Sequence, residues 1–246
     1  MINLSSAILD PIMRADAAGP RITYYDDAHL HTGAVGERIE LSGATLANWA
    51  AKTGNLLRDE LGAGPGTRIA VLLPAHWQTA AALLGLWWIG AEALLDASAT
   101  ADIALCTADR LGEADAAVAA TGGEVAVASL DPFGRPAPNL PLGVTDYATA
   151  VRLHADLIDP EQRPGPALAG ASTDEVLARS QNRAAAQALT SSDRVFSTNS
   201  WDSPDKLVDN LLSVLAVGAS LVQVTDPDPN LQDRRRASEK VTKTLS

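Results

Sequence analysis

From Ile69 to Ala91 the chain carries no formally charged side chain, and Arg68 and Glu92 bracket that run. A stretch of this length and apolarity is either a membrane span, which needs about 20 apolar residues, or part of a deeply buried core. Pro74 decides between the two. It cuts the run into Ile69-Ala-Val-Leu-Leu73 and a second part, Ala75 to Ile89, that carries His76, Gln78 and Thr79 in its first turn. The first part has the length of a strand, and the second is a helix apolar on nearly every face. A strand and a helix covered by other elements account for the missing charges without lipid.

The remaining composition fits a folded chain. Of 246 residues, 46% are hydrophobic and 20% charged, which excludes disorder as the main state and is enough for one large domain or two lobes. Nineteen basic against thirty acidic residues give a net charge of -11, so nucleic acid and anionic membrane are excluded as expected partners. The single cysteine, Cys106, cannot close an intrachain disulfide or supply a cysteine-based zinc site, which fits a reducing compartment. Met1 to Pro20 lacks a basic start and is interrupted by Asp10, Pro11, Arg14 and Asp16, so no export signal is read there. A cytoplasmic location is expected.

Along the chain, strand and helix patterns alternate. Arg21–Tyr25 and Glu37–Leu41 read as a β-hairpin. Ser42 offers an N-cap to a helix in which Leu46, Trp49, Ala50, Thr53, Leu56, Leu57 and Leu61 repeat at three-to-four spacing up to Gly62. Strands follow at Arg68–Leu73, Ala93–Leu95, Ile103–Cys106 and Val125–Leu130, with helices at Ala75–Ile89 and Gly112–Ala120. Prolines 132, 136, 138, 141, 160, 164 and 166 surround one short helix near Asp146–Leu157. Beyond them, Ser172–Leu189 and Pro204–Val217 read as helices, Arg194–Thr198 and Ser220–Val224 as strands. The expected division is a first α/β lobe over 1–130 containing the hairpin, a connector over 131–166, a second lobe over 167–230, and a polar tail or short helix over 231–246. The fold class is α/β, with two βαβ-containing halves and largely parallel sheets.

The halves share a weak internal repeat. Thr67-Arg-Ile69 opens a strand whose following helix ends at Ile89-Gly-Ala91, and Asp193-Arg-Val195 opens another closed by Val217-Gly-Ala219. In each copy a glycine stands where a helix turns into an apolar, doubly covered strand. Ligands in such folds sit at the carboxyl ends of strands, which singles out the loops after Leu73 and Thr198.

The run Leu46 to Leu95, in which a helix ends Leu57-Arg-Asp-Glu-Leu-Gly-Ala-Gly-Pro-Gly-Thr-Arg-Ile-Ala-Val-Leu-Leu-Pro74, together with Asp193 to Val222, resembles the N-terminal part of the adenylate-forming enzymes. These are the acyl-CoA synthetases, luciferases and peptide-synthetase adenylation domains, and the resemblance covers most of residues 20 to 225. It implies their α/β fold. It also implies a Ser/Thr/Gly-rich phosphate loop ending in Pro-Lys-Gly between Gly165 and Ser180, where the chain has only Ala169-Gly-Ala-Ser-Thr173. The family's Tyr-Gly-x-Thr-Glu segment, ribose-binding Asp and C-terminal domain with a catalytic Lys have no place before Ser246. The resemblance therefore implies a shortened relative without adenylation chemistry, with no catalytic residue, metal or cofactor assigned. Its expected role is to bind a partner subunit, a second copy of itself or a small ligand. The alternatives are an altered-site enzyme acting on acyl or nucleotide groups, or a subunit completed by a separate C-terminal half.

The candidate ligand-binding residues are Ser172, Thr173, Asn199, Trp201 and Asp202. Ser172 and Glu175 have the spacing of a capping box, with an anion site at that helix start as the functional reading. Asn199-Ser-Trp-Asp202 follows a strand, at the place where the resemblance puts an acyl-pocket segment. Asp26, Asp27, His29 and His31 can be drawn as a metal cluster or as a solvated loop. His76 reads as a packed or capping imidazole, Cys106 as an inert core thiol, and Arg234-Arg-Arg236 as a solvated charge run. Gly62 to Gly66 precedes a strand, the wrong side for phosphate. Trp77, Trp87 and Trp88 read as core or subunit-interface residues.

Overall fold

A computed structural model of the chain describes residues 2–28 and 37–245. Strands β1 (Pro20–Asp26) and β2 (Glu37–Ser42) form the expected antiparallel hairpin, with Tyr24 opposite Ile39. The free edge of β1 lies parallel to β9 (Ser220–Thr225), which pairs with β8 (Arg194–Ser197), and β8 with β10 (Lys243–Thr244). The hairpin thus belongs to the sheet of the second half, in the order β10-β8-β9-β1-β2. The other sheet is wholly parallel, β4-β3-β5-β6-β7, from β3 (Arg68–Leu72), β4 (Glu92–Leu94), β5 (Ile103–Cys106), β6 (Glu124–Val127) and β7 (Thr145–Asp146). Sheet membership therefore does not follow the boundaries 1–130, 131–166, 167–230 and 231–246, and one apolar cluster runs from Leu4 to Leu245.

Helix α1 (Leu4–Asp16) was not expected from the sequence. Asn3 caps it, its Oδ1 accepting from the Ser6 amide at 2.9 Å, and Leu4, Ile8, Leu9 and Ile12 bury one face. Helix α2 (Gly43–Asp59) starts at the Ser42 cap as expected. Every residue of α3 (Trp77–Trp88) is buried, which is why the sequence from Ile69 to Ala91 can carry no charge. The two helices meet through glycines. A Cβ built on Gly85 would stand 2.6 Å from the Ala50 carbonyl oxygen and 2.8 Å from the Gly54 nitrogen. Among the described residues, no helix is long and apolar enough to cross a membrane.

The repeat is real at the level of hydrogen bonds. The second copy runs from β8 through α7 (Pro204–Leu207), a π turn (Val208–Leu212) and α8 (Ser213–Ala216) to β9. Gly90 and Gly218 have φ of +76° and +75°, the left-handed conformation in which glycine carries no steric cost. Ala91 N–H donates to the Leu86 carbonyl at 3.0 Å and Ala219 N–H to that of Val214 at 3.1 Å. Glu92 and Ser220 then donate to Thr67 and Asp193 at 2.8 and 3.0 Å. The equivalence extends further, because β3 lies between β4 and β5 as β8 lies between β9 and β10.

Of the two alternatives for 231–246, the short helix is present as α9 (Gln232–Ser238), and the tail reading is corrected, since the segment goes on into β10 and joins the sheet. Arg235, expected in a solvated charge run, is 8% exposed, pairs with the buried Asp27 and lies 4.3 Å over the Tyr25 ring. Arg236 lies 4.7 Å over the Phe196 ring. Glu239 accepts from Tyr25, Arg38 and Arg194. Ion pairs and cation–π contacts dock α9, while the β10 ladder on β8, Val241 and Leu245 fix the end, so apolar periodicity alone does not reveal the segment.

Burial pushes the Glu239 carboxyl up, but hydrogen bonds from Arg38, Tyr25 and Arg194 outweigh it and hold the pKa at about 2, against an ordinary 4.5. A carboxyl depressed in the folded state stabilises fully above its unfolded value, and that contribution is lost as pH falls through the folded value. Urea titrations from pH 5 to pH 2 should show wild type losing stability through this window. Glu239→Gln should be less stable than wild type at pH 7, with the difference shrinking toward pH 2; a pH-independent difference would contradict the assignment.

Smaller differences have local causes. The expected strand Val125–Leu130 ends at Val127, and Leu130 has a φ of +56° that no strand accommodates. The helix expected near Asp146–Leu157 is limited to α5 (Tyr147–Ala150) and a 3-10 turn over Val151–Leu153, after which His154 is extended. Helices α4 (Leu111–Val118) and α6 (Thr173–Ala186) lie within a few residues of expectation.

Candidate functional site

A cleft of about 550 Å3 opens where strands of the two sheets end. Its walls come from the loops after β3 (Leu73 to Ala75), β5 (Thr107, Asp109, Arg110), β8 (Thr198 to Asp202) and the end of β9 (Gln223 to Pro227). The loops after Leu73 and Thr198 are those the sequence singled out. Parallel strands place this site, since their carboxyl ends leave a crevice that the following helices do not fill.

Two unpaired polar atoms and a set of charged side chains define its chemistry. Gln223 is 1% exposed; its amide nitrogen donates to the Asn199 carbonyl at 3.1 Å, while its Oε1 finds no partner among the described residues. The indole Nε1 of Trp201 is likewise buried and unpaired. An unused buried acceptor and donor each cost about 1–3 kcal/mol. Three carboxylates, Asp109, Asp202 and Asp226, face the cleft against one guanidinium, Arg110, which itself pairs with Glu113 at 2.7 Å. A hydrogen bond from Lys206 holds the Asp202 carboxyl below its ordinary range.

Asn199, Trp201 and Asp202 thus share this cleft, and Asn199 is fixed by donating to Asn210 Oδ1 at 2.9 Å. Ser172 and Thr173 do not join them. The turn of α6 that faces Asn199, across an adjoining hollow of about 500 Å3, is the C-terminal one with Arg183 and Gln187. A helix of this length separates its ends by about 20 Å, so the expected approach of the Ser172 helix start to the Asn199–Asp202 loop is corrected.

Ser172 has the structural role weighed for it. Its hydroxyl accepts from the Glu175 amide and the Glu175 carboxylate accepts from the Ser172 amide, a complete capping box. Immediately before it, Leu168 and Ala171 pair across a two-residue turn, and Leu168 lies alongside Ala93 of β4. Ala169 N–H donates to the Ala93 carbonyl at 3.1 Å, and Gly170 N–H to the Glu92 carboxylate.

The remaining candidates are structural. His76 caps α3, its Nδ1 accepting from the Gln78 amide at 3.1 Å, and burial pushes its pKa down to about 3. Burial pushes the Cys106 thiol up to about 11, so it is inert at neutral pH. Trp87 and Trp88 are buried in the core. Asp27 is committed to Arg235, and His29 and His31 lie outside the described residues. Among the described residues no group of His, Cys, Asp and Glu is placed to hold a metal. Gln223 and Glu92 were not singled out from the sequence. Both had a signal, a lone polar residue within the buried Ser220–Val224 run and the first charge after an uncharged stretch.

No family model matches the chain. A protein of Mycobacterium tuberculosis (strain ATCC 25618 / H37Rv), described as a TIGR03089 family protein, is 68% identical over 244 residues, covering 98% of each chain. The chain belongs to the TIGR03089 family. For this TIGR03089 family member, solved structures give the fold. An acyl-CoA synthetase of Brucella canis matches with a TM-score of 0.77 at 18% identity, over 99% of this chain and 47% of its own. Acetoacetyl-CoA synthetase from Streptomyces lividans matches with a TM-score of 0.76 at 19% identity, over 98% and 42%. A benzoate CoA ligase from Burkholderia xenovorans LB400 gives 0.73 at 16% identity, over 99% and 50%. The chain spans half or less of each of these structures, and at such identities the likeness is one of fold.

Proposed function

We propose that this TIGR03089 family member is a non-catalytic relative of the adenylate-forming enzymes that binds a small ligand in the cleft at the strand ends. The observation that carries this reading is the segment from Leu168 to Glu175, where the resemblance calls for a phosphate loop. Its two-residue turn offers no lysine, and its amides already bind protein acceptors, one of them the Glu92 carboxylate. A carboxylate in that position repels phosphate, and the acidic lining of the cleft adds to the repulsion. The unpaired Gln223 Oε1 and Trp201 Nε1 favour a compact, uncharged ligand that presents one donor and one acceptor.

Calorimetry with ATP, AMP, CoA and short acyl-CoAs tests the reading. ATP should bind at millimolar concentration or not at all, because each missing charge-assisted hydrogen bond costs about 1.5–3 kcal/mol, or tenfold and more in affinity. A cleft ligand found by thermal-shift screening should bind Trp201→Phe more weakly, as that change removes only the indole N–H and keeps most of the packing. Micromolar ATP binding would overturn the proposal, and a ligand insensitive to Trp201→Phe and Gln223→Leu would move the site elsewhere.

A further inference from the structure

At the start of α3 lies a further cavity, of about 240 Å3, lined by Trp49, Lys52, Trp77, Gln78, Phe133 and Arg152 among others. Trp49 and Trp77 meet edge to face with ring centroids 5.4 Å apart, and Phe133, itself 78% exposed, forms the outer wall. An apolar cavity of roughly 150 Å3 takes a benzene ring, so this slot has room for one ring and a small head group.

Three of its polar groups, on Trp77, Lys52 and Arg152, are donors, while the Gln78 amide donates to the Asp131 carbonyl at 3.4 Å and the Asp131 carboxylate is held by the Phe133 amide at 2.8 Å. Trp77 is 5% exposed, and its indole Nε1 has no partner among the described residues. Indole is a donor only, so it calls for an acceptor. Lys52 donates to the His154 carbonyl at 2.6 Å and Arg152 to that of Phe133 at 2.7 Å; neither has a carboxylate partner among the described residues, and both retain free donors. Two cations beside one slot set a local positive charge on a chain of net charge -11. The backbone accommodates one of them. Gly134 has a φ of +64°, and a Cβ there would lie 2.1 Å from the Arg152 guanidinium. The slot also opens at the start of a 12-residue helix, whose dipole favours anions.

We propose that this slot is a second binding site that takes a flat apolar group carrying a single negative head, the ring between Trp49, Trp77 and Phe133 and the head on Trp77 Nε1, Lys52 and Arg152. The site is independent of the strand-end cleft and of the function proposed for it.

The test uses the full chain labelled with 15N, in which five tryptophan indole N–H signals are expected and Trp77→Phe identifies that of Trp77. Phenylacetate, phenylacetamide and phenethylammonium are titrated to about 10 mM, a range that reaches weak, fragment-like affinities. The expected result is a saturable shift of the Trp77 indole proton with phenylacetate, at least about tenfold weaker with the amide and absent with the ammonium. Lys52→Met/Arg152→Met should lower the phenylacetate affinity about tenfold while the spectrum remains that of the folded protein, and added salt should weaken wild type more than the double variant. No shift with phenylacetate, equal response to all three probes, or a shift centred on Trp201 instead of Trp77 would overturn the proposal.

Discussion

Replacing Asp27 by alanine is expected to lower the unfolding free energy by about 3–5 kcal/mol, because it leaves Arg235 charged and unpaired at a buried position. Asp27 is 1% exposed, accepts from the Asp228 amide at 2.9 Å, and holds the guanidinium that stacks on Tyr25. Without it the C-terminal segment loses its central attachment to the sheet of β1 and β9. Proteolysis within 231–245 should accelerate before global unfolding does. Replacing both partners by leucine should recover much of the loss, since a buried ion pair exchanged for apolar groups is often neutral. Urea midpoints of the two single variants and the double variant measure this. A single-variant loss below about 1 kcal/mol, the ordinary range of a surface pair, would contradict the burial assigned to the pair.

Gly85→Val is expected to cost about 3 kcal/mol or more, at the upper end of overpacking in cores. The atoms that a Cβ would meet are the Ala50 carbonyl oxygen and the Gly54 nitrogen, which belong to backbone and cannot rotate away as a side chain would. Helix α2 would have to move off α3 along their shared face, opening gaps around Leu46, Leu57 and Leu84. Gly62→Ala is the control, because nothing lies within 4 Å of a Cβ there and only the +69° φ opposes the change. Thermal melts should therefore show a much larger drop for Gly85→Val than for Gly62→Ala.

Elements held by apolar periodicity were legible in the sequence. The hairpin, α2, β3, α3 and the repeated Gly-Ala turns at Gly90 and Gly218 follow from alternation, three-to-four spacing and the need for a left-handed residue. What escaped reading depends on contacts between distant positions. The Asp27–Arg235 pair joins positions 208 residues apart, and the hairpin's membership of the second sheet is set by β1 finding β9. Helix α1 escaped because Pro11 and the polar residues around it hide the spacing of Leu4, Ile8 and Ile12. At the cleft, Asn199, Trp201 and Asp202 were legible as a loop after a strand. Gln223 showed only as a lone polar residue in a buried run, since its free oxygen exists only in the fold, and the Ser172 helix start was misplaced because sequence order gives no distance.

Acid-dependent ATP–pyrophosphate exchange is the most direct measurement of the central claim. The purified chain, assayed with acetate, benzoate and medium-chain fatty acids, is expected to give no exchange above a heat-killed control. The proposed reading rests on the turn at Ala169-Gly170, where the Gly170 amide donates to the Glu92 carboxylate and is taken as offering a triphosphate no cradle. Exchange above that control, dependent on one of the acids and lost with the folded protein, would contradict the account.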